Sequence, residues 1–163
     1  NRPSSARPYL QEYLEQMQDP STPEPTAEEK IYISELLLSA GEPALCVTQL
    51  ELLRASLTDS NPLKVKCLRL LAVALFANDR IDDGAGVSRK VLRLDATCIA
   101  SMHNLALASV KNNRYRSAWG WVRRGLLQDP LDNDLRRLRS RLIWESIGKF
   151  FTRLTNRVFS KQK

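Results

Sequence analysis

Chemistry needs reactive side chains in groups, and this chain keeps its reactive residues apart. His103 is the single histidine among 163 residues, so no metal cluster of the usual His/Cys kind is expected. Cys46, Cys67 and Cys98 are odd in number, far apart and without a CxxC pair. Each lies among helix-forming residues, where a free thiol serves as a small buried hydrophobe. That usage fits a reducing, cytoplasmic setting. Asp82 and Asp83 open a helix, where carboxylates complement the dipole, and they need no metal to explain them. The six glycines are scattered and form no phosphate-cradling loop. The expectation is a protein that is not an enzyme, with no metal site and no cofactor.

Charge is the next candidate for function. The net charge is +7, but residues 9–59 carry ten acids against two bases, and residues 60–163 carry eight acids against 21 bases. Such polarity can steer an acidic partner to the C-terminal part, or let chains associate head to tail. Lys149, Arg153 and Arg157 share one helical stripe near the end, and Ile147, Phe151, Leu154 and Val158 share another. A basic amphipathic helix of this kind either covers the end of a helical stack or lies on an anionic membrane or a partner. No run reaches the roughly 18 apolar residues of a membrane span. The basic residues lack an interleaved aromatic platform, which argues against nucleic acid. The chain opens on Asn1 and not on methionine, and the expectation is a segment of a longer protein.

The elements that position these residues read as helices throughout. Residues 1–26 hold five of the eight prolines, with a short helix expected between Pro8 and Asp19 and a stiff Pro-rich linker after it. Thr26-Ala-Glu-Glu29 is a capping box, opening a helix to about Ala40. Gly41-Glu-Pro43 breaks that helix and starts the next, which runs to about Leu57. Asn61-Pro62 caps a third, over 62–77. Further helices are predicted over 81–94, 97–111 and 115–128, and a last one from near Asp132 to about Ser160, with a bend at Gly148. Alternating apolar patterns that would mark strands are missing.

A repeat organises the helices. A shift of 34 residues lays Leu68 on Met102, Leu71 on Leu105, Ala72 on Ala106, Asn78 on Asn112, Arg80 on Arg114, Gly84 on Ala118 and Ala96 on Pro130. Ala72, Ala106, Gly84 and Ala118 are small where two helices of a hairpin must approach. Leu71, Leu75 and Leu105 fill the seam. Asn-x-Arg lies in the tight turn, where Asn tolerates left-handed backbone. A weaker upstream copy aligns at a shift of 38, with Ile33, Ser34 and Leu37 on its first helix and Cys46, Leu50 and Leu53 on its second.

This pattern resembles the tetratricopeptide repeat, whose 34-residue consensus places large, small and proline residues at these offsets. The aromatic positions are replaced. The resemblance covers about 27–130 and implies an all-α, right-handed superhelix of about three hairpins (27–61 degenerate, 62–96 and 97–130), with 131–163 as a basic amphipathic capping helix. One hairpin cannot bury its apolar face alone, so hairpins stack and an end helix closes the stack.

The resemblance also implies a function. In this family the first helices of the hairpins line an inner groove that takes a peptide segment of a partner. Subtracting seam residues leaves Lys66, Arg69 and Val73 on one helix and Ser101, His103, Asn104, Leu107 and Lys111 on the next, with Arg136 and Arg137 as an extension. Co-chaperones of the family grip acidic chaperone tails with a clamp of Lys, Asn, Asn, Lys and Arg. The matching places here hold Arg69, Val73, Asn104, Asp134 and Leu138, and Asp134 would repel a carboxylate. That function is rejected, and the expected role is a scaffold or adaptor for another protein. The alternatives are a membrane or assembly module acting through the C-terminal helix and a secretion-type chaperone, a group that also resembles three such repeats.

Overall fold

In a computed structural model, which describes residues 23–159 and side-chain environments through Ile147, seven helices follow one another. They are α1 (Ala27–Ser39), α2 (Pro43–Ser56), α3 (Leu63–Ala77), α4 (Ile81–Leu94), α5 (Ile99–Lys111), α6 (Tyr115–Gln128) and α7 (Asn133–Phe159). The helix expected between Pro8 and Asp19 lies outside the described residues.

The starts follow the local chemistry. The Glu29 amide donates to Thr26 Oγ1 at 3.3 Å, and the Thr26 amide donates to Glu29 Oε2 at 2.8 Å, closing the capping box. The Leu63 amide donates to Asn61 Oδ1 at 2.8 Å. The Leu135 amide donates to Asp132 Oδ1 at 2.7 Å at the start of α7.

Each hairpin turns by the same device. After α1, α3 and α5 the chain places one residue in left-handed backbone: Gly41 at φ 82°, Asp79 at 56° and Asn113 at 56°. The next amide then reaches back five residues, from Glu42 to the Leu37 carbonyl, Arg80 to Leu75 and Arg114 to Ser109, at 2.7–2.9 Å. This is the Schellman arrangement that satisfies the last carbonyls of a helix. The left-handed residue is the middle of Asn-x-Arg and not the Asn expected from sequence. Asn78 and Asn112 stay near φ −90° as the last caps of their helices. The offsets between the three turns are the same 38 and 34 residues that align the repeat.

The small residues permit the close approach. A Cβ added to Gly84 on α4 would lie 2.9 Å from the Phe76 ring and 3.3 Å from the Ala72 carbonyl on α3. Ala72, Ala106 and Ala118 are fully buried. One core runs from Ile31 through Leu71 and Leu75 to Leu105. A second joins Ala106, Ala118 and Val122 to Leu135, Leu138 and Leu142 of α7. Burial of each leucine contributes about 2 kcal/mol, so the first half of α7 closes the stack. Ile147, expected among the residues covering the last hairpin, is 41% exposed, because helical spacing turns it away from the Leu135–Leu142 stripe. The helix continues through Gly148 unbroken.

Candidate functional site

Successive first helices touch, α1 with α3 and α3 with α5, more closely than the second helices do. That geometry puts the first helices on the inner side of the stack. Lys66, Arg69 and Val73 follow one another at spacings of three and four along α3, and Asn104, Leu107 and Lys111 do the same along α5. The two stripes face a common hollow.

The hollow has two parts that meet at Asn104. Lys66, Arg69, Val73, Ser101 and Asn104 line the upper part, about 470 Å³, together with Val65, Leu70 and Glu35. Asn104, Leu107 and Lys111 line the lower part, about 440 Å³, with Phe76, Tyr115 and the α7 pair Arg141 and Glu145. Seven of the eight residues expected from sequence therefore border it. His103 is half-buried and lines neither part. Ser101 is on the floor at 1% exposure, its hydroxyl accepting the Cys98 thiol at 3.3 Å. Arg136 and Arg137 are exposed and border neither part. Lys149, Arg153 and Arg157 lie on α7 beyond the described side chains.

The polar groups are unequally committed. Lys66 pairs with Glu35 at 3.1 Å and Lys111 with Asp79 at 2.8 Å. The Lys111 ammonium holds the Asp79 carboxyl below its ordinary range. Thr97, and more weakly Arg69, do the same to Asp95. Arg69 has no ion pair among the described residues. Glu145 Oε1 accepts from Arg141 at 2.9 Å, while its Oε2 is buried without a hydrogen-bond partner among the described residues. The groove thus offers one cation without an ion pair among the described residues, one amide and a floor of aliphatic side chains.

Glu35, Arg141, Glu145 and Phe76 were not foreseen. For Glu35 the signal existed, since the 38-residue shift places it on Val73. The position matching the last clamp residue holds Leu138, which is 5% exposed and packed in the core with α6, so a carboxylate clamp cannot form there.

Elsewhere the thiols are sequestered. Burial pushes Cys46 up to about 12 and Cys67 up to about 11, and their Sγ atoms donate to the Ser34 and Leu50 carbonyls. Among the described residues no three His, Cys, Asp or Glu side chains are placed to hold a metal ion, and no helix is long and apolar enough to cross a membrane.

Solved structures share the architecture. A structure of the UNC-45 chaperone, studied for binding and folding muscle myosin, superposes with a TM-score of 0.68 over 80% of this chain at 16% identity. This chain folds as a tetratricopeptide-like repeat. It spans 14% of the UNC-45 chain. A kinesin-light-chain-type protein from Podosopora anserina, built of nearly identical TPR-like repeats, superposes with a TM-score of 0.57 at 16% identity, covering 93% of this chain and 94% of its own. No family model and no curated protein sequence matches the chain. The tetratricopeptide-like stack therefore rests on the fold, its turns and its period.

Proposed function

We propose that this tetratricopeptide-like stack is a scaffold or adaptor whose inner groove binds a peptide segment of another protein. The observation that carries the reading is a pair of hollows that share Asn104 in their linings, one between α3 and α5 and one between α5 and α7. Val65, Leu70, Val73 and Leu107 give them an aliphatic lining suited to apolar side chains. Arg69, which forms no ion pair among the described residues and acts only weakly on Asp95, suits one acidic group. Asn104 can hydrogen-bond a peptide backbone through both its carbonyl and its amide.

Peptides selected from a random library against the whole chain provide the ligand for the test. Arg69→Glu should weaken their binding about tenfold or more, because a charge pair is replaced by repulsion. Asn104→Ala should also weaken it, and His103→Ala should leave it within about twofold. Circular dichroism should be unchanged in all three. If the affinity survives both the Arg69 and the Asn104 change, the groove is not the binding surface.

A further inference from the structure

The last helix differs from the other six in length. It has 27 residues, about 40 Å at 1.5 Å per residue, against 13–15 for the rest. Among the described side chains its buried stripe is Leu135, Leu138 and Leu142, in the first half, and the later positions of that register, 149 and 153, are Lys and Arg.

Beyond Leu142 the two faces of the helix exchange character. Trp144 lies two residues on, about 200° round the helix, and is 73% exposed. Ile147 follows it at a spacing of three and is also exposed. Positions 151, 154 and 158 continue at spacings of four, three and four, and are Phe, Leu and Val. The register of Leu142 meanwhile passes to positions 149, 153 and 157, which are Lys, Arg and Arg. Positions 151, 154 and 158 thus continue the helical register of the exposed Trp144 and Ile147. A helix whose only task was to close the stack would carry a polar outer face.

Charge decides what this stripe meets. After Glu145 the sequence has five bases and no acid. Two copies pairing through this segment would set like charges side by side without the acidic partners that helix pairs use. The segment cannot span a bilayer, because bases recur every four residues along it. An apolar stripe bearing tryptophan and phenylalanine, opposed by a row of lysine and arginine, suits the boundary between headgroups and acyl chains of an anionic bilayer. We infer that the second half of α7 binds an anionic lipid surface, lying in its plane while the groove remains free on the stack.

The test uses the full chain with vesicles of phosphatidylcholine, with and without phosphatidylserine. Binding is expected to the anionic vesicles, to weaken with added salt and to be slight with the neutral ones. Trp144 emission should shift to the blue, and Trp144→Phe should abolish that shift while binding persists. The triple change Lys149→Glu, Arg153→Glu and Arg157→Glu should lower binding about 100-fold or more, with the helical signal and groove-peptide binding retained. Leu154→Ser provides a milder second variant should the triple one fail to fold. Absence of binding at low salt by the folded protein overturns the inference. So does a dimer that Ile147→Asp disperses, which would make the stripe a contact between copies.

Discussion

Glu35 on α1 and Lys66 on α3 meet at 3.1 Å across the mouth of the groove. Both side chains are about half exposed, so the pair contributes little to stability. Its consequence is electrostatic: it occupies Lys66 and leaves Arg69 as the cation of α3 without an ion pair among the described residues.

Glu35→Ala should therefore free Lys66. Affinity for an acidic groove peptide is expected to rise about threefold, while the unfolding free energy changes by less than about 0.5 kcal/mol. Titration calorimetry and urea denaturation on the same samples check both. Unchanged or weaker binding would show that Lys66 does not face the ligand.

Lys64 makes a different kind of contact. It is 5% exposed, and its ammonium donates to the Arg54 and Leu57 carbonyls at 2.7 and 2.6 Å, with Asp59 at 3.7 Å. These carbonyls end α2, so the lysine caps that helix from the following one. Lys64→Met keeps the stem and removes the donors. A loss of about 2 kcal/mol is expected from the stranded carbonyls, read as a lower urea midpoint.

The glycines divide into two classes that mutation should separate. A Cβ at Gly86 or Gly120 meets nothing within 4 Å. Alanine there should stabilise the chain by up to about 1 kcal/mol through helix propensity. At Gly84 the added Cβ would press on Phe76 and the Ala72 carbonyl, and at Gly125 on the Leu135 side chain. Alanine at those two sites should give no gain, or a loss. Melting temperatures of the four single variants check the division.

Acid should loosen the stack through its capping and bridging carboxylates. Thr26 holds Glu29 below its ordinary 4.5, and Lys111 and Thr97 hold Asp79 and Asp95 below their ordinary 3.8. A carboxyl lowered in the folded state binds fewer protons there than when unfolded. Its contribution is complete above the ordinary value and is lost as pH falls through the folded one. Stability should stay level from neutral pH down to about 5 and fall below about 4.5. Asp79→Asn should make that fall shallower, as pH-dependent urea curves will show.

The fold was legible because its rules are local or periodic. Thr26 and Glu29 announce their capping box in four residues. Ala72, Gly84, Ala106 and Ala118 announce close approach at a period of 34. The groove stripes of α3 and α5 follow once the period is known. What escaped depends on which neighbour a face meets. Lys64 reads as a surface lysine until the carbonyls ending α2 are found around it. Trp144 belongs to an ordinary-looking helix, and its exposure follows only from Leu142 being the face that packs. His103 sits beside residues that line the hollows on the same helix, and spacing alone does not separate it from Asn104. Asp79 and Asn113, and not Asn78 and Asn112, carry the left-handed backbone because the Schellman bonds require it one residue later.

The proposed ligand site is the inner face of the first helices. Amide chemical shifts of the labelled chain, titrated with a library-selected peptide, test it directly. Perturbations are expected to concentrate on residues 65–76 and 100–111, with α6 and its Trp119–Leu127 face unmoved. Perturbations centred on α6 and the outer side of α7, with 65–76 silent, would contradict it.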